Sequence, residues 1–305
     1  MKRLFPPGGG RWAALFLLGA WAGCSKPADI THDKPVTPAP PAVLLAAGDI
    51  GNCGTSTDTE TGLLLDALPG TIAVLGDIAY GQGSSSEFAD CFDPVWGRHK
   101  ARMKPTPGNH EYLTPEASGY FGYFGALAGE PGKGYYSYEL GSWHIVVLNS
   151  NCASVVGGCK EGSPQETWLR QDLAAHRTAC TLAYWHQPRF TSGMHGDDTE
   201  VVPLWRALEE YGAEVVLTGH DHDYERWEPQ DAAGNAKADG IVEFVVGTGG
   251  TSLRPFATPQ PAHSVVRDDS VWGVLKLTLH ASSYDWEFVP IAGQSFTDKG
   301  SANCH

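Results

Sequence analysis

Five short strand-like segments in this chain each lead, directly or across one glycine, to a residue whose side chain can bind a metal ion. The segments cover residues 43–47, 71–75, 104–107, 181–185 and 214–218, and all except 104–107 (Lys-Pro-Thr-Pro) are mainly apolar, as buried β-strands are. The residues that follow them are Asp49, Asp77, Asn109, His186 and His220. Because ligands bind at the carboxyl ends of the strands in open α/β sheets, this recurrence predicts one site at one sheet edge.

Two further candidate ligands stand close to these residues in the sequence. His222 follows His220 by two positions, and side chains two apart in extended backbone project to the same side. Tyr80 follows Asp77 by three positions. Imidazole is the commonest metal-binding side chain near neutral pH. By itself, the Gly-His-Asp-His stretch at 219–222 also fits a surface loop with two solvated histidines, so the prediction depends on the recurrence along the chain.

The combined donor set indicates what kind of site these residues would form. Carboxylate, phenol, amide and imidazole groups are too rich in oxygen for a structural zinc site and too rich in histidine for calcium. More donors are present than one ion needs, which implies two ions that share a carboxylate. Ions paired in this way lie about 3.5–4 Å apart. The set is Asp49, Asp77, Tyr80, Asn109, His186, His220 and His222.

The order of strand-like and helical patterns predicts the fold class. Helical patterns at residues 57–68, 86–96, 163–176 and 200–211 alternate with the apolar runs, whereas the last third of the chain is strand-like without intervening helices. Residues 135–140 and 143–149 are typical of a hairpin. We therefore expect an α/β (α+β) fold, a four-layer αββα sandwich of two mixed β-sheets flanked by helices. It would form a single domain over residues 42–305.

The amino terminus is typical of an exported protein. Lys2, Arg3 and Arg11 precede an apolar run at 12–21 that is too short to span a bilayer as a mature helix, which predicts a signal peptide over residues 1–24. The small residues before Cys24 resemble a bacterial lipobox, so lipidation of Cys24 is expected, with simple cleavage nearby as the alternative. Residues 25–41 predict a Pro-rich linker. The protein would be lipid-anchored in the cell envelope or secreted.

The cysteine count agrees with export. Apart from Cys24 the chain has six cysteines, an even number that in an exported protein predicts disulfides whose connectivity the sequence does not determine. A bridge between Cys152 and Cys159 would close a short loop and is the preferred pair. With that bridge formed, Cys53 would pair with Cys91 and Cys180 with Cys304. The alternative to disulfides is zinc binding by the thiolates, although no C-x-x-C pair occurs.

The net charge restricts the partners of the protein. It is −14 for the whole chain, and removal of residues 1–24 takes away three basic residues and no acidic ones, which leaves −17. Such a surface disfavours nucleic acids and anionic membranes as partners, so membrane contact is expected only through the lipid anchor. Bound metal ions would dominate the field inside the site, so an anionic substrate remains compatible.

The motifs resemble those of the calcineurin-like metallophosphoesterase superfamily, and more narrowly its purple acid phosphatase branch. The resemblance covers residues 42–305 and rests on GD at 48–49, GDxxY at 76–80, GNHE at 108–111, His186 and GHDH at 219–222. Most of the superfamily has Asp-x-His at the first motif, whereas this chain has Asp49-Ile50-Gly51. Tyr80 stands where the purple acid phosphatases supply a tyrosinate instead.

The resemblance implies two metal positions. The first would hold iron(III), since a phenolate prefers a hard, highly charged ion, and its ligands would be Asp49, Tyr80 and His222. The second would hold a divalent ion (Fe, Zn or Mn), and its ligands would be Asn109, His186 and His220. Asp77 would bridge the two ions. These ions and ligands give the pocket a formal charge of about +2, which attracts a phosphoryl group.

The resemblance also implies the reaction. A metal-bound hydroxide would attack a phosphomonoester without a phosphoenzyme. Asn109, His110 and His195 would contact the substrate, and His110 or His195 would protonate the leaving group as the general acid. Glu111, Arg189 and Arg226 are expected to have structural roles. Two alternatives are a phosphodiesterase on the same scaffold and a lipoprotein of the envelope that binds a ligand without turnover, whose expected signature is the loss of a metal ligand.

Overall fold

The computed structural model of the protein describes residues 40–178, 180–257 and 259–305. The signal peptide, Cys24 and nearly all of the linker predicted above lie outside the described residues. Among the residues described, no helix combines the length and the hydrophobicity that crossing a bilayer requires.

The strands of the described residues form two mixed sheets and one short pair. The first sheet has the order β15-β14-β13-β1-β3-β5 and the second has the order β12-β10-β11-β9-β8-β7-β6, while β2 pairs with β4. Strands β1, β3 and β5 run parallel, as do β7, β8, β9 and β11. The strands are β1 (Ala42–Ala47), β2 (Gly51–Asn52), β3 (Thr71–Leu75), β4 (Ala79–Tyr80), β5 (Met103–Thr106), β6 (Tyr136–Leu140), β7 (Trp143–Val147), β8 (Cys180–Tyr184), β9 (Val215–Thr218), β10 (Tyr224–Trp227), β11 (Val242–Val246), β12 (Ser264–Asp268), β13 (Gly273–Leu279), β14 (Ser283–Pro290) and β15 (Lys299–Asn303).

Helical segments connect many of these strands. The start of α4 follows from its sequence, because the Ser163 hydroxyl accepts the Glu166 N–H and Pro164 occupies the first turn. The helix expected at 86–96 is confirmed only in its first half. One α-helical turn, α2 (Ser85–Glu87), continues as a π-helix at Phe88–Phe92, which buries both phenylalanines, and turns replace the helix at 93–96 before a 3₁₀ helix at Gly97–Arg102. The α-helices are α1 (Thr57–Ala67), α2 (Ser85–Glu87), α3 (Ser118–Phe124), α4 (Pro164–Ala175) and α5 (Val202–Glu210), with further 3₁₀ turns at Glu111–Leu113, Pro115–Ala117 and Gly125–Ala128.

The two sheets pack face to face around the main core. Strand β7 shows how the sequence directs this packing, because successive side chains of a strand point to opposite faces. Ile145 and Val147 pack in the core that contains residues of both sheets, such as Leu45. Val146 packs instead among the residues of α4 and α5, including Trp205. The expected arrangement of two mixed sheets with helices is confirmed.

All six cysteines of the described residues form disulfides, and the preferred pairing is confirmed. Cys53 bonds to Cys91, Cys152 to Cys159 and Cys180 to Cys304, with Cα separations of 4.8, 5.1 and 5.6 Å. The alternative of zinc binding by these thiolates is therefore wrong. The bridge from Cys180 in β8 to Cys304 fixes the C-terminal end of the chain to the second sheet.

A buried histidine links the β6–β7 hairpin to α4. Both ring nitrogens of His144 lie 2.7 Å from a carboxylate, Glu139 on one side and Asp172 on the other. The side chain of His144 is 1% exposed. Burial alone would lower its pKa, but the two carboxylates outweigh burial and raise it. The ring is therefore held as a cation between two anions.

Candidate metal centre

The loops that follow β1, β3, β5, β8 and β9 meet at one edge of the sheets. Asp49, Asp77 and His220 each have a positive φ, of 60°, 47° and 71°. Non-glycine residues rarely adopt this conformation, and they keep it only where the surrounding structure enforces it. The structure therefore concentrates unusual backbone conformations at the residues selected from the sequence.

Two glycines explain how these loops approach one another so closely. A Cβ on Gly76, which has φ of 85°, would lie 2.6 Å from His186 Nδ1. A Cβ on Gly108 would lie 2.1 Å from Asp77 Oδ1. Both distances are too short for a real contact, so a side chain at either position would push the candidate ligands apart. The glycine before each polar residue is thus required by packing of the site.

The first group of donors surrounds the hydroxyl of Tyr80. This oxygen lies 2.7 Å from Asp49 Oδ1, 3.1 Å from Asp77 Oδ2 and 3.2 Å from His222 Nε2. The Nδ1–H of His222 donates to the Ser252 carbonyl at 2.8 Å, which turns Nε2 toward the group. Burial opposes the charged form of His222, but Asp49 outweighs burial and raises the pKa of this ring. Two carboxylate oxygens and one ring nitrogen therefore converge on the phenol oxygen.

The second group of donors surrounds Nε2 of His186. This nitrogen lies 3.1 Å from Asn109 Oδ1, 3.2 Å from His220 Nδ1 and 3.3 Å from Asp77 Oδ1. The Nδ1–H of His186 donates to the Leu75 carbonyl at 2.8 Å. An imidazole held in this way points its second nitrogen at the centre of the group. Asp77, His186 and His220 lie close enough together to hold one ion.

Both groups fit a metal ion. Bonds of about 2.1 Å at angles between 90° and 109° separate neighbouring ligands by roughly 3.0–3.4 Å, close to the separations in both groups. In each group the donor atoms converge on a centre that a proton can occupy when no ion is bound, and a cation there would interact favourably with all of them at once. Asp77 contributes one oxygen to each group, as a carboxylate shared by two ions would.

The electrostatics of the ligand-free groups agree with this arrangement. Burial, together with Asp49 and Asp77, raises the pKa of Tyr80 well above its ordinary value. A cation must therefore displace the phenol proton in order to bind there. Burial and the neighbouring His186 and His195 lower the pKa of His220 to about 3, so this ring is neutral and keeps a lone pair. For His186, burial opposes the charged form, but Asp77 outweighs it and raises the pKa to about 9.

Glu111 ties two of the ligand loops together. Its fully buried carboxylate accepts the N–H groups of Ile78 and Ala79, next to Asp77, at 2.8 and 3.3 Å. It also accepts the N–H of Gly108, next to Asn109, at 2.7 Å. Burial and the charge of Asp77 raise the pKa of Glu111 to about 7. The carboxylate does not reach the donor groups, which agrees with the structural role expected for it.

The two candidate acids lie on different sides of the centre. His110 packs on Tyr80 with ring centroids 4.4 Å apart, its Nδ1–H donates to the Gly81 carbonyl at 2.6 Å, and its Nε2 lies 3.7 Å from Asp77 Oδ2. His195 packs on His220 with centroids 4.1 Å apart. The structure therefore brings both histidines to the edge of the site.

The two arginines considered from the sequence have structural contacts. Arg226 pairs with Asp298 at 2.6 Å, and Arg189 donates to the Ala232 carbonyl at 3.1 Å. The sequence reasoning missed Arg254, which lies in the loop after β11. This loop also reaches the site, because Thr251 N–H donates to the Asp49 carbonyl at 3.0 Å. The feature of the sequence that could have revealed this loop is the apolar run that forms β11, because its carboxyl end lies at the same sheet edge as the donor groups.

A two-sheet sandwich that gathers oxygen and nitrogen donors at its strand ends defines a class of metal-binding α/β proteins. The profile of one family, described as calcineurin-like phosphoesterase, matches residues 32–224. The chain therefore belongs to the calcineurin-like phosphoesterase family.

Several proteins to which this chain is similar are named purple acid phosphatases. Purple acid phosphatase 15 of Arabidopsis thaliana is 29% identical over 251 residues, which cover 69% of this chain and 45% of the relative. Fe(3+)-Zn(2+) purple acid phosphatase 12 of the same plant is 25% identical, with 80% and 59% covered. The purple acid phosphatase PPD1 of yellow lupin seeds shares the fold, with a TM-score of 0.71 and 18% identity over 86% of this chain and 54% of that one. This chain spans about half the length of such relatives.

Proposed function

We propose that the protein is a dinuclear metal-dependent phosphatase that hydrolyses phosphomonoesters. The observation that carries the proposal is Asp77, whose two oxygens belong to two separate groups of converging lone pairs. In this proposal Asp49, Tyr80 and His222 hold iron(III), and Asn109, His186 and His220 hold a divalent Fe, Zn or Mn ion. The similarity to a relative named for Fe(3+) and Zn(2+) supports this choice of metals.

The residues of the chain have distinct tasks in this reaction. Bound ions would activate a water molecule as the nucleophile and offset the negative charge of the phosphoryl oxygens. His110 presents Nε2 beside the centre and supplies a proton to the leaving alcohol, while its Nδ1–H bond to the Gly81 carbonyl fixes the ring. Asn109 and His195 complete the substrate contacts. Glu111 holds the loops that carry Asp77 and Asn109 in a fixed position relative to each other.

The two alternatives differ in what supports them. A phosphodiesterase would use the same donor groups, so the groups themselves do not favour one ester over the other. A non-catalytic binding protein is expected to have lost a ligand, and each of the seven ligand positions in the described residues carries a side chain able to bind a metal. The complete set favours an enzyme.

Metal content and turnover test the proposal together. Purified protein loaded with iron and zinc should contain two ions per chain and should hydrolyse p-nitrophenyl phosphate faster than its bis-ester. Asp77→Asn should lose both ions and activity, because the shared carboxylate is removed. Asp66→Asn, which alters a carboxylate paired with Arg98 at a distant exposed site, is the control. An Asp77→Asn protein that retains two tightly bound ions would contradict the shared role.

We also infer that residues 1–24 direct export and that Cys24 carries a lipid. The basic residues, the apolar run and the lipobox-like ending support this inference. Membrane fractionation of cells producing the full chain or its Cys24→Ser variant tests it. The full chain should sediment with membranes and the variant should be released, whereas equal release of both would argue for simple cleavage.

A further inference from the structure

Arg254 carries a guanidinium that has no carboxylate beside it. Its Nη1 donates to Nε2 of His195 at 2.9 Å. Across residues 40–178, 180–257 and 259–305, no carboxylate oxygen lies within 4 Å of it, whereas Arg98, Arg170 and Arg226 each pair with at least one acid. What distinguishes this guanidinium is its position beside His195 and the His222 loop, where donors that His195 does not use are available to an anionic ligand.

His195 is held so that it presents a lone pair to this arginine. Asp221 Oδ1 accepts both the backbone N–H of His195, at 3.1 Å, and its Nδ1–H, at 2.8 Å. Asp221 is itself fixed by the Thr191 hydroxyl at 2.7 Å. Nε2 of His195 faces Arg254, whose guanidinium has only donors, so this nitrogen accepts from it. His195 thereby positions Arg254 at the edge of the substrate site.

Arg254 is anchored to the metal-binding loop from two directions. Its backbone N–H donates to the His222 carbonyl at 3.1 Å. Its side chain contacts His195, whose ring lies 4.1 Å from the ring of His220. The backbone of Arg254 is thus held by the His222 carbonyl and its guanidinium by His195, and one of the five N–H donors is enough for His195.

We propose that Arg254 recognises the second negative charge of a phosphomonoester and so favours monoesters over diesters. This inference rests on the proposed function. A monoester dianion has a terminal oxygen free for a charge-assisted hydrogen bond from the guanidinium. In a diester that oxygen carries an organic group, so the diester has one negative charge fewer and the esterified oxygen is a poorer hydrogen-bond acceptor. Arginine suits this task because its planar donors match phosphate oxygens.

Four proteins test the proposal: wild type, Arg254→Gln, Arg254→Lys and Arg206→Gln. Arg206 is an exposed residue of α5, so its variant loses the same charge without touching the site. Arg254→Gln should lower kcat/KM for p-nitrophenyl phosphate by about 10- to 100-fold, mainly through KM, as expected for one charge-assisted hydrogen bond. The bis-ester should lose less than about threefold by the same argument, since it lacks that bond. Arg254→Lys should recover part of the loss, and Arg206→Gln should match wild type.

Two further measurements separate this role from a merely structural one. Metal content should stay at the wild-type level in Arg254→Gln, and the dissociation constant of inorganic phosphate, measured by calorimetry, should rise as KM does. Equal losses on both esters, loss of metal, or unchanged phosphate binding would overturn the proposal. If the wild type hydrolysed neither ester, the proposed function would fail, and phosphate binding would still decide the role of Arg254.

Discussion

Gly108 gives the sharpest test of how closely the two donor groups must approach. Its backbone passes Asp77 so closely that a Cβ would lie 2.1 Å from Asp77 Oδ1 and 2.2 Å from Asp77 N. The φ of Gly108 is not positive, and alanine adopts it without strain, so Gly108→Ala changes only the space between the loops. The added methyl group would therefore push the loops of Asp77 and Asn109 apart by steric repulsion.

The size of the effect follows from these distances. A Cβ contact shorter than 3.0 Å essentially never occurs, so the loops after β3 and β5 must separate by roughly 1 Å. A displacement of that size in a catalytic group costs about 10²-fold in rate. Overpacking of this kind also destabilises a protein by about 1–3 kcal/mol.

Gly122→Ala is the matched control, because Gly122 lies in α3 and a Cβ added to it would have no atom within 4 Å. It should keep full activity and gain about 0.5–1 kcal/mol of stability from its helical position. The assays are kcat/KM for p-nitrophenyl phosphate, metal content and thermal unfolding. A Gly108→Ala protein with two ions and wild-type turnover would refute the reasoning, since the donor groups would then tolerate separation.

Three other variants probe neighbouring parts of the molecule. His110→Ala should slow alkyl phosphates by about 10²–10⁴-fold and aryl phosphates with good leaving groups far less, and equal losses in steady-state kinetics would remove its acid role. Tyr80→Phe loaded with iron should lose the visible absorption band expected of an iron(III)–phenolate bond, and a spectrum unchanged from wild type would exclude Tyr80 as a ligand. His144→Gln should destabilise the protein by about 1.5–3 kcal/mol at pH 5.5 and progressively less at higher pH. The sign follows because the folded-state pKa of His144 is raised, so its contribution is complete below the unfolded pKa and is lost as pH rises through the folded value. Urea unfolding at pH 5.5 and pH 9 measures this difference, and a cost that grew with pH would contradict it.

The sequence was most informative where one local rule determined the structure. Strand β3 begins and ends where its apolar run does, and α1 and α4 agree with their helical patterns to within a residue at each end. The position of each polar residue after a strand also predicted that Asp77 and His186 would meet, although β3 and β8 belong to different sheets and the contact forms where the carboxyl ends of both sheets come together. The structure brings all seven predicted ligand residues into the two donor groups.

Features that depend on distant partners were not predictable in this way. Helix α3 has the sequence SGYFGYF, whose two glycines and aromatic residues give no clear helical period. Strands β10, β12 and β15 are short, and their pairing partners lie elsewhere in the sequence. Arg254 has no motif around it, and its importance became visible only when the fold placed it beside His195. The order of strands in each sheet likewise has no local signature.

The disulfides impose an order on the maturation of the protein. While the chain is reduced, the six cysteines other than Cys24 are free thiols, and soft thiolate sulfur competes strongly for zinc and iron. Once the three disulfides have formed, no thiolate of these six cysteines can bind a metal, and only oxygen and nitrogen donors determine which metals bind. Oxidation should therefore precede metallation. We therefore expect protein kept reduced to bind zinc at thiolates and protein with its three disulfides formed to bind metals only at oxygen and nitrogen donors.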